Sequence, residues 1–216
     1  MTRRFYTLLL WLALPVVMIR LGWRALSSPG YRGRISERFG GGAPDDRCCD
    51  LWIHAVSVGE VKAATPLVQR LLKEKKHLNI IITTMTPTGA QQVVDTFGKE
   101  VRHRFAPYDY PFAIRRFINQ FSPRLLILME TEIWPNMIRI CHQQGIAVAM
   151  ANVRLSARSA RGYRFVLPLV RDGLSKVSLF AAQSDEDRKR LRPLGSEASR
   201  PHRPGRMKFE IRMPAS

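Results

Sequence analysis

The sequence predicts an α/β domain built on a parallel sheet. Short apolar runs rich in β-branched residues recur at intervals of roughly 25–45 residues, and helix-like stretches opened by proline or an acid stand between them. Composition agrees, with 45% apolar and 24% charged residues among 216, the make-up of one globular domain or two very small ones. Disorder throughout is excluded.

The chain opens with an almost wholly apolar run, Phe5 to Ile19, flanked by Arg3 and Arg4 before it and Arg20, Arg24, Arg32, Arg34 and Arg38 after it. No small-residue cleavage point follows, which argues against a signal peptide. Fifteen apolar residues in a helix rise only about 22 Å, against a hydrocarbon core of roughly 30 Å. Arginine on both sides also pulls both ends toward the same face. A short anchor lying in or dipping into the cytoplasmic face is therefore expected, with Trp11 and Trp23 at interfacial depth. A single span and a helix packed on the chain's own domain are the alternatives.

Beyond the breaker Gly40-Gly41-Gly42, Leu51–Val56 reads as a strand, and Glu60 to about Lys73 as a helix. Asn79–Thr84 is a second strand, Pro87 opens a helix to about Phe97, and Leu125–Met129 is a third strand. Pro135 opens a helix to about Gln143; Ile146–Ala151 and Ser178–Gln183 are further strands, with a helical segment around Ala160–Leu174 between them. Three segments are expected: 1–40 at a membrane, 41–194 as the α/β domain, and 195–216 as an irregular basic tail.

Charge is uneven. The net charge is +18, of which residues 1–40 carry +6, residues 41–153 only +3, and residues 154–216 +9. Nucleic acid, anionic lipid and phosphorylated substrates are the partner classes this suits. Cys48, Cys49 and Cys141 have neither disulfide-framework nor zinc-ligand spacing and read as free thiols in a reducing compartment.

In parallel sheets the ligand crevice lies beyond the carboxyl ends of the strands, so the turns Ser57–Glu60, Thr83–Gly89, Met129–Asn136 and Asn152–Ser159 are the places to look for chemistry. None contains a dinucleotide fingerprint or a P-loop. Glu60 follows the first strand and opens a helix, so it suits a base in the crevice or an acid complementing the helix dipole. Its pKa falls through nearby N–H groups unless desolvation opposes them. Glu130 and Glu132 follow an apolar strand, share one side of an extended chain, and read as a site, with helix capping accounting for one of them. Arg154, Ser156, Arg158 and Ser159 put guanidinium and hydroxyl groups in one loop, suited to phosphate or carboxylate, or to solvent alone. His54 and His103 lack metal-ligand spacing, and no metal site is expected.

Taken together, LWIHAVSVGE (51–60), TTMTPTGA (83–90), APYDYP (106–111), METEIWPN (129–136), ANVRLSARSARGY (151–163) and AAQSDEDRKRL (181–191) closely resemble the bacterial 3-deoxy-D-manno-octulosonic acid (Kdo) transferases. The resemblance runs from about Tyr6 to Leu194. It implies the Rossmann-like N-terminal half of a GT-B glycosyltransferase, membrane-associated, with the acceptor handled mainly by this half and CMP-Kdo by the other. The implied reaction moves Kdo from CMP-Kdo to a hydroxyl of the lipid A precursor (lipid IVA), with inversion and with neither cofactor nor obligatory metal. Carried onto matching positions, Glu60 is the general base, Glu130 stabilises positive charge developing on the donor sugar, and Lys208 in MKFEI neutralises the departing phosphate. Ser57, Gly59, Thr86, Arg154, Ser156, Arg158 and Ser159 are the expected substrate-binding positions.

After Leu194 the resemblance fails. Pro201 and Pro204 cannot sit in a central strand, and the Arg-rich run has no apolar face to bury. The chain reads as an N-terminal fragment lacking the second GT-B domain, expected to bind acceptor or membrane but to transfer sugar weakly or not at all. CMP-Kdo is then a partner only if the missing domain is supplied. A noncatalytic module binding anionic lipid is the alternative. A nucleic-acid binder is less favoured, because no recognisable nucleic-acid motif accompanies the charge.

Overall fold

The computed structural model describes residues 1–27, 34–42, 48–75 and 77–196. Six strands form one all-parallel sheet: β1 (Leu51–His54), β2 (Ile80–Thr84), β3 (Arg102–Phe105), β4 (Leu125–Met129), β5 (Ala147–Val153) and β6 (Leu179–Ala182). Their order is β3-β2-β1-β4-β5-β6, which puts the topological switch between β1 and β4. The helices are α1 (Arg3–Ser27), α2 (Val58–Glu74), α3 (Pro87–Phe97), α4 (Pro111–Phe121), α5 (Pro135–Gln143), α6 (Ala157–Tyr163), α7 (Leu167–Leu174) and α8 (Asp185–Leu191).

Alternation along the central strands builds two cores. Trp52, Leu126, Leu128, Val148 and Met150 face one side and pack with Ile114 and Phe117 of α4, Met137 of α5 and Val170 of α7. Leu51, Ile53, Leu125, Ile127 and Met129 face the other, against Val61, Ala64 and Val68 of α2 and Val93 and Phe97 of α3. The predicted α/β class and its parallel sheet hold.

Three elements stand where no regular structure was expected: β3, α4 and α8. β3 is RHRF, an edge strand of mostly basic residues, and Glu37 stabilises it by accepting from Phe105 N at 2.8 Å. The Glu37 carboxylate also pairs with Arg34 at 2.8 Å. The turn over Ile35–Phe39 ends at Gly40, whose positive φ and close approach to the Ala113 carbonyl leave no room for a Cβ. The helical segment expected over 160–174 is two helices, α6 and α7, separated by a 3-10 turn, with Pro168 in the first turn of α7.

α1 corrects the length argument for the anchor. It continues through Arg20 and Arg24 as one 25-residue helix with Pro15 inside, about 37 Å long at 1.5 Å per residue. By length and composition it is able to cross a membrane. Its first three turns are nonetheless fastened to the sheet domain. Tyr6 Oη donates to Asp109 at 3.0 Å, Thr7 Oγ1 to Asn136 Oδ1 at 3.1 Å, and Tyr110 Oη to the Leu10 carbonyl at 2.8 Å. Trp11 stacks on Phe112. The opposite face is largely exposed, with Leu12 68%, Val16 67%, Ile19 73% and Trp23 67% exposed.

Candidate active site at the carboxyl edge of the sheet

Ser57 leaves β1 in extended geometry and caps α2, its hydroxyl accepting from Glu60 N at 3.4 Å. Glu60 folds back over this turn rather than projecting freely. Its Oε2 accepts from Val56 N at 2.8 Å, and its Oε1 accepts from Ser57 Oγ at 3.2 Å. This reciprocal arrangement is a variant of the capping box. The carboxyl is 5% exposed, and burial pushes its pKa up to about 7, with the Glu132 and Glu130 carboxylates adding to the rise and the Val56 N–H and Ser57 hydroxyl opposing it. Desolvation outweighs the hydrogen bonds, so the group titrates near neutrality.

The turn after β4 brings the other two acids to this place. Glu130 is left-handed (φ 58), and its N–H donates to the Ala151 carbonyl at 2.8 Å. The extended geometry expected for Glu130 and Glu132 is therefore broken at its first residue. Neither acid caps α5, contrary to expectation. Glu132 accepts from Trp134 Nε1 at 2.9 Å, whereas Asp109 caps the helix, accepting from Asn136 N at 3.0 Å and Met137 N at 2.8 Å.

The third strand-end loop joins through Thr131. Its hydroxyl donates to the Arg154 carbonyl, and Tyr163 Oη donates to the Thr131 carbonyl at 3.3 Å. Residues 154–163 thus lie beside the acidic turn. Arg154 and Arg158 are exposed. Ser156 caps α6, accepting from Ser159 N at 3.0 Å and donating to Ser159 Oγ at 2.9 Å. Thr86 caps α3, accepting from Gly89 N at 3.0 Å. Ser57, Thr86 and Ser156 therefore each spend a hydroxyl on a helix end. Gly59 is exposed, and a Cβ there would meet only Ser57 Oγ at 3.7 Å. Lys208 lies outside the described residues.

Three contributors escape the sequence reading. His54, at the end of β1, is fully buried with Nδ1 3.0 Å from Thr83 Oγ1, its ring edge-on to Trp134, and its pKa pushed down to about 3 by burial. Trp134 links that histidine to Glu132. Asp109 is 4% exposed and its pKa is raised by burial to about 7. The only sequence signals are a polar residue closing an apolar strand and an acid within YDYP. Among the described residues no group of three His, Cys, Asp or Glu is placed to hold a metal.

A parallel sheet with its switch between β1 and β4, a carboxyl with a raised pKa at that switch, and an arginine-bearing loop beside it define an α/β domain with a candidate ligand site at the carboxyl edge of its sheet. Residues 33–211 match the family described as 3-deoxy-D-manno-octulosonic-acid transferase (kdotransferase), and the chain belongs to that family. It is 43% identical to the 3-deoxy-D-manno-octulosonic acid transferase of Haemophilus influenzae over 98% of this chain and 50% of the relative. To the Bordetella pertussis protein of the same name it is 34% identical over 99% of this chain and 51% of the relative. The chain spans about half the length of these curated relatives. The fold is accordingly that of the N-terminal half of a GT-B glycosyltransferase.

Proposed function

We propose that this chain supplies the acceptor side of a Kdo transfer from CMP-Kdo to the lipid A precursor, lipid IVA, at the cytoplasmic face of the inner membrane. Glu60 is the base. It takes the proton from an acceptor hydroxyl as that oxygen bonds to the anomeric carbon of Kdo from the face opposite the phosphate. The bond from that carbon to the phosphate oxygen breaks, and CMP leaves with the electron pair. Inversion follows from this geometry. Glu130 faces the positive charge that develops on the sugar, Lys208 offsets charge on the phosphate, and Arg154 and Arg158 take an acceptor phosphate, joined by Ser57, Gly59, Thr86, Ser156 and Ser159 as surrounding surface.

The observation that carries this reading is the carboxyl at the β1–α2 junction, raised to about 7 beside Glu132 and Glu130. A base works best with a pKa near the operating pH. Incubating the full chain with CMP-Kdo and lipid IVA, with and without the remainder of a related transferase, tests it. Turnover is expected to be weak or undetectable with the chain alone and to appear in the supplemented reaction. Glu60→Gln should lower that turnover by about 10²–10⁴-fold, and the rate should rise with pH through about 7. Unchanged turnover in Glu60→Gln would refute the assignment.

A second reading, a noncatalytic module for anionic lipid, is favoured by the fact that both Glu60 oxygens already accept bonds from their own turn. It predicts vesicle binding with no transfer in any combination.

A further inference from the structure

Asp109 joins three segments that are distant in sequence. One oxygen accepts from Met137 N at 2.8 Å, and the other accepts from Asn136 N at 3.0 Å and Tyr6 Oη at 3.0 Å. Its own carbonyl accepts from Asn136 Nδ2 at 2.7 Å, and Asn136 Oδ1 in turn accepts from Thr7 Oγ1 at 3.1 Å and Arg3 Nη1 at 3.4 Å. α5 draws no cap from its own entry, because the Trp134 side chain at the N-cap bonds Glu132 rather than a helix N–H and the first turn carries no acid. The residues just before that turn, 130–134, carry Glu130 and Glu132, whose charges reach Glu60, and Trp134, which lies against His54 and bonds Glu132. A buried carboxylate borrowed from the 106–110 loop is therefore what fixes where the acidic turn ends, and the membrane-type helix shares that carboxylate through Tyr6.

We propose that Asp109 is a positioning residue that ties α1 to the acidic turn, so that the placement of Glu132 and Trp134 depends on how α1 is seated. Asp109 accepts from two backbone N–H groups at a buried helix start, and losing those bonds leaves both donors orphaned. Tyr6 adds a third bond to the same group from outside the sheet domain. Loosening α1 therefore loosens the start of α5, although α1 touches none of the three acids in the hydrogen-bond network described above.

The functional meaning rests on the reading of Glu60, Glu130 and Glu132 as a reacting centre, but the coupling is tested without activity, so the two fail separately. Amide hydrogen exchange is measured on the full chain, wild type against Asp109→Asn and Tyr6→Phe. Asp109→Asn should speed exchange at Asn136 and Met137 by about tenfold or more, and Tyr6→Phe by about threefold. Amides of β2 and β4 should exchange as in wild type in both. NMR titration of Glu60 should show its pKa shifting down from about 7 in Asp109→Asn, as the Glu132 and Glu130 charges move away while burial still holds it above the ordinary carboxyl range. Where Asp109→Asn fails to fold, Tyr6→Phe decides alone. Unchanged exchange at Asn136 and Met137 in Tyr6→Phe, an unmoved Glu60 titration in folded Asp109→Asn, or equal acceleration across β2 and β4 would each overturn the proposal.

Discussion

Glu60 and His54 sit six residues apart and are pushed in opposite directions by one cause, exclusion of water from a charge. The Glu60 carboxyl rises from 4.5 to about 7 and the His54 ring falls from 6.5 to about 3. Asp109 follows Glu60, and His103 follows His54. The raised carboxyls contribute stability that is complete below their unfolded pKa and is lost as pH climbs through about 7. The lowered histidines contribute stability present above 6.5 that is lost as pH falls through about 3. Across the shared window the two pairs act on stability in opposite directions. Glu60→Gln removes one falling contribution. Stability of the variant relative to wild type should therefore increase between about pH 5 and about pH 7, by roughly 1.4 kcal/mol per pH unit at most, measured by urea unfolding at both ends. A difference independent of pH would mean that Glu60 is not held neutral. Glu60 itself was legible because an acid that follows an apolar strand and opens the next helix falls at the carboxyl edge of the sheet. Asp109 was not, because a cap donated from 27 residues upstream leaves no spacing pattern, and a fully buried histidine looks the same in sequence as an exposed one.

At the scale of elements, legibility followed burial. β4 and α5 fall where the apolar run and the proline predict them, since a central strand and the helix over it must be continuously or periodically apolar. β3 escaped because an edge strand satisfied by Glu37, with Arg34 bonded to His103, does not need such a run. α4 carries Ile114, Phe117, Ile118 and Phe121 at helical spacing, a signal present but masked by the motif that precedes it. α1 shows the converse. Its apolar residues read as a run, yet the structure divides them into a docked face and a largely exposed one. The exposed face makes a specific prediction. Leu12→Glu combined with Ile19→Glu, both at exposed positions, should leave folding unchanged and weaken partitioning into phosphatidylglycerol-containing vesicles by about a hundredfold or more. Circular dichroism and vesicle flotation check the two halves of that statement, and undiminished flotation would remove α1 from the lipid contact.

For the whole molecule, charge and grease draw the chain to lipid by different physics. The net charge of +18 is concentrated in the first 40 and last 63 residues, while the central part that builds most of the sheet carries little. An apolar helix alone would bind neutral and anionic vesicles alike, and a basic surface alone would release at high salt. The chain has both, so binding to anionic vesicles should fall steeply between about 0.1 M and about 1 M salt, as the screening length shrinks from about 10 Å to about 3 Å. It should then level off at a residual equal to binding on neutral vesicles. That residual belongs to α1 and should vanish in the Leu12→Glu, Ile19→Glu chain, leaving only the salt-sensitive part. Duplex DNA offers charge without an apolar phase, so binding to it should show no plateau. A complete loss of vesicle binding at high salt would mean that the exposed face of α1 does not enter lipid, and a plateau on DNA would mean that contacts other than charge hold the duplex.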